Sequence, residues 1–411
     1  MPLRTQLFSL ALGLIIVGCS QESVPPPADT SVRDSAGVTV VESAGPRWRG
    51  ADAWQLTPEP EVAIGVLEGE SAYELFRVSG AVRLSDGRIV IATAGTGELR
   101  FFDSTGVHLT SVGGEGGGPG EFQALGTLMR GPADTLVAYD MMARRLSVFD
   151  PRGGHARDVS LAFSSQITFP SVVGVFADGS LLAQVSQRQV FGPDAPELPL
   201  GPMRDSIAAL RIAPDGERVD TIGRYAGSRM HVRTMEFGGN SMRVPAPLIF
   251  SPTTVLRPRG DAVVVGTSDR YELRIVDAEG RVQRIVRKLH RRIPVSQEDI
   301  DSAQARTRAA MERANMPAEL MEQQLNRPAA DSLPAYGTIQ VDLAGNIWVQ
   351  EYALSWKAPG WSVFDPDGVY LGDVTGMDDF RVTDIGVDYV LGVMTDELDV
   401  ERVLLYGLVK P

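Results

Sequence analysis

The chain has 411 residues, 43% of them apolar, enough to bury a sizeable core in one large domain or several average ones. Its net charge of −13 argues against a nucleic-acid partner, which requires a basic face. Glycine (43) and proline (27) are plentiful, which favours many short elements joined by turns over long helices.

Residues 1–19 read as an export signal. Arg4 precedes the apolar run 7–17, which falls short of the ~20 residues a membrane span needs. Ile16-Val17-Gly18-Cys19 holds the sole cysteine and resembles the lipobox of bacterial lipoproteins, whose thiol is joined to diacylglycerol. The alternative is an ordinary secretory signal with a chance cysteine. The resemblance implies lipidation at Cys19, a membrane partner through that lipid, and a bacterial cell-envelope location, at the outer membrane or periplasmic face if there are two membranes. Residues 20–36, with Pro25-Pro26-Pro27, have little to bury and are expected to be a disordered tether. Residues 37–60 form an N-terminal extension in which 38–42 (VTVVE) is a strand with no assigned partner.

From residue 78 one pattern repeats. Strands at 78–84, 88–93, 98–103 and 107–112 are joined by turns such as Ser85-Asp86-Gly87 and Ser104-Thr105-Gly106, an antiparallel meander. Copies follow at 125–161, 172–222, 254–286 and 338–374, while the last, 380–409, supplies only three strands. A lone strand at 61–65 (EVAIG) supplies the fourth, and its pairing with the last copy removes two exposed sheet edges. Residues 116–122 (GGGPGEF), 148–153 and 363–368 (VFD-P-x-G) and 342–349 (DLAGNIWV) resemble those of NHL-type six-bladed β-propellers. The repeats and the resemblance give an all-β fold over residues 61–411, a six-bladed β-propeller closed by an N-terminal strand joining the last blade. Family membership implies binding by one face of the ring and does not imply an enzyme.

A small helical insertion is expected at about 295–330. Ser296 and Asp299 make a capping pair, Ile300, Ala303, Ala310 and Met311 recur at helical spacing, and Pro317 restarts the helix. The glycine-rich stretch 113–122 has the look of a phosphate cradle. No Lys, Ser or Thr follows the glycines, and the next element is a strand, so it reads as the hinge between two blades with Phe122 wedged between them.

In a propeller blade the first-to-second and third-to-fourth turns share one face, and the other connections share the opposite face. Every long insertion (186–206, 223–250, 290–336 and 352–360) falls on the second face, which makes it the expected binding face. Candidate ligand contacts there are Arg229, His231 and Arg233, suited to an anionic group such as a carboxylate or an acidic glycan, and Tyr352 and Trp356, suited to a sugar or peptide groove. The other reading of the arginine-rich stretch is a solvated loop balancing an acidic chain. The basic run 281–292 is expected to protect a free outer edge, with contact to anionic lipid as the second reading. The four scattered histidines have no zinc spacing and no nucleophile elbow occurs, so no catalytic residue and no metal ligand is assigned. Function is thus expected to be binding of a protein, small-molecule or glycan ligand. The alternative is a propeller enzyme, a Ca²⁺-dependent hydrolase or lactonase or a lyase, with calcium as the possible cofactor.

Overall fold

The computed structural model describes residues 29–161, 170–186, 198–237, 240–354, 360–377 and 380–411. These form six sheets, each built mainly of one antiparallel meander. Blade one is Val78–Arg83, Ile89–Thr93, Glu98–Phe102 and His108–Gly113; blade two is Leu125–Arg130, Leu136–Asp140, Arg145–Phe149 and His155–Ser160. Blade three is Ser171–Val175, Leu181–Ser186, Gly201–Ile212 and Val219–Phe237, with Asn240–Pro247 added outside. Blade four is Thr254–Arg259, Ala262–Thr267, Glu272–Val276 and Val282–Lys288; blade five is Tyr336–Val341, Ile347–Glu351, Trp361–Phe364 and Tyr370–Val374. Blade six is Phe380–Ile385, Tyr389–Thr395 and Glu401–Val409, and its fourth strand is Val62–Ile64.

The core explains why the sheets form a ring. Six apolar clusters each take side chains from two successive sheets, and the cluster of Val62, Ile64, Ile91 and Leu405 joins the last blade to the first. The fold is therefore a β-propeller, closed where Ile64 pairs with Val403 and Val62 with Leu405. The pairing gives blade six its fourth strand from the opposite end of the repeats.

The repeated Asp-x-x-Gly turns are blade-to-blade joints as well as hairpins. Asp103, Asp150, Asp277 and Asp365 each accept the backbone N–H groups two and four residues on. The glycine that follows sits at positive φ, +83° in Gly280 and +88° in Gly106, where a Cβ is disfavoured. It also abuts the preceding blade. A Cβ on Gly280 would overlap the Ile222 carbonyl, and one on Gly106 would lie 2.9 Å from Val62 of the closing strand. In blade five Asp342 is buried and binds the backbone of Ala344 and Asn346, the Asn346 amide and the Trp348 indole N–H, which explains that blade's D-x-x-G-N-x-W pattern.

The stretch 113–122 is the hinge between blades one and two. Phe122 is buried between them, near Phe149, and the loop's carbonyls at Gly117, Gly118 and Glu121 turn onto the Arg145 guanidinium. Carbonyls facing a cation do not make an anion cradle.

Three expectations change. The tether expected over 20–36 does not extend over its last residues, because Thr30–Ser35 is a strand paired with Val38–Ser43. The hairpin between them turns on Ala36 and Gly37, both at positive φ, and the Ala hides a turn that Asn-Gly would have announced. Val38–Ser43 has a partner after all, since it runs parallel to Val282–Lys288, so the basic outer strand of blade four is a covered edge. Arg287 spans the new junction, pairing with Glu42 at 2.7 Å. From there the chain straps blade five, where Arg47 and Trp48 donate to Tyr370 and Leu371, and reaches blade six. Finally, much of the expected long loop 223–250 is strand. Val219–Phe237 outruns its blade and continues as a ribbon flanked by Gly201–Ile212 and Asn240–Pro247.

The insertion after blade four contains α1 (Gln297–Arg313), capped by reciprocal Ser296–Asp299 hydrogen bonds, and α2 (Ala318–Leu325). It docks on the ribbon's return, where Ile249 exchanges backbone hydrogen bonds with Pro328 and Ala330. Among the described residues no helix is long and apolar enough to cross a membrane.

Candidate functional site

Alternation along the ribbon sorts its side chains. Met230 and Val232 are buried on one face, so Arg229, His231 and Arg233 share the other. Their environments nevertheless diverge. Arg229 reaches blade four and donates to Asp269 Oδ1 at 2.8 Å. Arg233 lies against α2, donating to the Gln323 carbonyl, and burial together with the nearby Arg327 charge lowers its pKa. His231 lies between them with a buried Nδ1 that has no hydrogen-bond partner. Tyr352 packs edge-on against Phe250, and burial raises its phenol pKa. Trp356 and Cys19 lie outside the described residues. Of the sequence candidates among the described residues, then, Arg229 is the one that meets these clefts.

That cleft is one of two, separated by the connection between the second and third strands of blade four. On the ribbon side a cavity of about 460 Å³ is lined by Arg224, Tyr225, Arg229, Thr267 and Arg274. On the other side a cavity of about 750 Å³ is lined by Thr30, Ser31, Glu42, Tyr271, Lys288 and His290. Asp269, Arg270, Glu272 and Arg292 border both. This connection belongs to the face that carries the long insertions.

The carboxylates here are already matched. Asp269 takes both Nη atoms of Arg204 at 3.1 and 2.6 Å in addition to Arg229. Burial pushes its pKa up, but these two arginines more than offset it and hold the carboxyl below the usual range. Glu272, only 7% exposed, accepts from Arg274 and Arg287, each at 2.9 Å, and is likewise held low against the pull of burial. By contrast, Arg224, Arg270 and Arg292 have no carboxylate partner among the described residues, and Arg292 donates to the Ser332 hydroxyl at 2.7 Å. The ribbon-side cleft thus carries guanidinium groups in excess, in a chain whose net charge is −13, whereas in the larger cleft Asp29 and Glu42 restore the balance.

The floor of the larger cleft is a rigid polar cluster. Lys288 donates to Glu351 (3.0 Å) and Ser362 (2.6 Å) and stands over the rings of Tyr271 and Tyr370. Tyr271 donates to Glu351 at 2.7 Å; burial, then the Glu351 charge, raise its pKa. His290 stacks beside Tyr271, and burial lowers its pKa. With its ammonium bound to a carboxylate, Lys288 acts as a clamp between blades four and five. Among the described residues no three His, Cys, Asp or Glu side chains converge as metal ligands.

Sequence reasoning missed Arg204, Asp269, Arg270 and Arg292 as site residues. The available signal was positional, since Asp269-Arg270 occupy a second-to-third connection and so fall on the long-loop face.

No family model matches the sequence, and no curated protein matches it. Among solved structures, a Bacteroides fragilis protein described as exported is 13% identical, covering 90% of this chain and 99% of its own, with a TM-score of 0.48. A DUF4221-family protein from Bacteroides vulgatus is 12% identical over 88% of this chain and 100% of its own, with a TM-score of 0.48. A Xanthomonas campestris gluconolactonase is 12% identical, covering 83% and 88% of the two chains, with a TM-score of 0.40.

Proposed function

We propose that this protein is an exported, lipid-anchored propeller of the NHL type that binds an anionic ligand in the ribbon-side cleft of blade four. One observation carries the binding reading. Arg224, Arg270 and Arg292 border the clefts without carboxylate partners among the described residues, while Asp269 and Glu272 are each neutralised by two other arginines. Cations left unpaired beside a cavity favour an incoming carboxylate or phosphate, and guanidinium binds either one bidentately. Export and anchoring rest on the apolar run 7–17 and the Cys19 lipobox.

The test is a thermal-shift series at fixed ionic strength with citrate, phosphate and galacturonate. A ligand that binds only the folded state raises Tm, by an amount equivalent to about 2.7 kcal/mol at a hundred times Kd. At least one anion should raise Tm of the wild type and leave the Arg224→Gln/Arg270→Gln/Arg292→Gln variant unmoved. Equal responses in both proteins would refute the site. The competing enzyme reading would gain from stoichiometric calcium in the purified protein.

A further inference from the structure

We infer that the ligand is a compact polyanion, a small molecule carrying two or more carboxylate or phosphate groups, a specification that rests on the anion-binding reading above. The first ground is the charge gathered at the ribbon-side cleft. Five arginines line its cavity of about 460 Å³ against two carboxylates, Asp269 and Glu272, a surplus of three positive charges. A monoanion would leave most of that surplus unmatched. On the far side of the dividing connection Asp29 and Glu42 restore the balance, so the surplus is confined to one cavity, and that confinement calls for a compact ligand.

The second ground is the ratio that the site already shows. Asp269 is held by Arg204 and Arg229, and Glu272 by Arg274 and Arg287. At two arginines to a carboxylate, the three without carboxylate partners exceed what one anionic group takes. They also come from separate segments: Arg224 from the outer strand of blade three, Arg270 from the connection inside blade four, and Arg292 from beyond that blade's last strand. Groups so placed are suited to separate charged ends of one ligand, and once the first end is bound the second engages at a high effective concentration. The third ground is the neutral part of the lining. Val265 is buried and the Tyr225 ring packs on the core between blades three and four, which leaves Ala226 and Thr267. An acyl chain or aromatic ring gains little from so small an apolar wall, so the charged groups carry the recognition.

The experiment is calorimetry on the full chain in detergent at fixed ionic strength. Butyrate, glutarate and tricarballylate supply one, two and three carboxylates on similar carbon frames, and orthophosphate and pyrophosphate supply one and two phosphates. Affinity should rise about tenfold or more from butyrate to tricarballylate. Each of Arg224→Gln, Arg270→Gln and Arg292→Gln should weaken tricarballylate about fivefold or more and butyrate less than about threefold. Arg152→Gln, at an exposed arginine on the tight-turn face, should leave both unchanged. Pyrophosphate binding in place of tricarballylate, with orthophosphate weaker, would equally support the polyanion and assign phosphate as its charged group. If butyrate binds as tightly as tricarballylate, the anion site stands and the polyanion is wrong. Binding of none of the five overturns both readings, and so does an equal loss in Arg152→Gln, which would mark the attraction as diffuse.

Discussion

Gly280 and Gly37 separate two reasons for a glycine that sequence alone cannot tell apart. Both sit at φ +83°, so a Cβ costs each the left-handed penalty of about 1–2 kcal/mol. Around Gly37 nothing lies within 4 Å of the position a Cβ would take, whereas at Gly280 that position overlaps the Ile222 carbonyl of blade three. Gly37→Ala should therefore cost only the backbone term. Gly280→Ala should cost about 2 kcal/mol more, because blade four must move off blade three or the carbonyl must shift. Chemical denaturation of the two variants tests this, and equal losses would mean that the turn glycines serve the hairpin alone. The D-x-x-G spelling made the turns readable in the sequence, but their second duty depends on a neighbour some 60 residues earlier and has no local signature.

At the scale of the element, the ribbon shows where pattern reading stops. The four-strand repeat was legible because its strands are short, alternating and closed by Gly turns. The continuation of Val219–Phe237 was not, because Arg224, Arg229 and Arg233 on the outward face give it the composition of a solvated loop. What marks it as a strand is the other face, where Met230 and Val232 are buried. Asp269 fastens this ribbon to blade four through Arg204 and Arg229, with its side chain 23% exposed. Its folded-state pKa lies below the unfolded one, so its contribution is complete above about pH 4 and is lost as pH falls through the folded value. Hydrogen exchange should then show residues 201–237 and 240–247 losing protection below about pH 4, before the inner strands do. Asp269→Asn should loosen the same segments already at pH 7, at a cost of about 2 kcal/mol, and abolish their acid dependence. Unchanged ribbon protection in that variant would show that packing against α2, and not this carboxylate, holds the ribbon.

At the scale of the whole molecule, the ring is sealed by three residues from near the start of the chain, Val62–Ile64, laid on the last strand. This closure was the most legible long-range feature, because an orphan strand at one end matched a blade lacking a strand at the other. The strap before it was not, since Trp48 and Trp54 pack on blades five and six through contacts that no repeat encodes. Closure joins distant positions: the Glu401 carboxylate accepts the Val78 N–H at 2.7 Å across 323 residues. Bringing such distant ends together costs about 5 kcal/mol of chain entropy beyond a constant, so the seam should form after the individual meanders. Ile64 is 1% exposed within the cluster shared by blades six and one, and Ile64→Ala should destabilise the protein by about 3 kcal/mol. If the seam forms last, nearly all of that loss appears as faster unfolding, roughly a hundredfold, with refolding almost unchanged. Ile91→Ala, from the same cluster but within blade one, should also slow refolding, because its meander is already assembled when the ring closes. Stopped-flow measurements on the two variants decide the order, and a refolding rate more sensitive to Ile64 than to Ile91 would place ring closure ahead of blade formation.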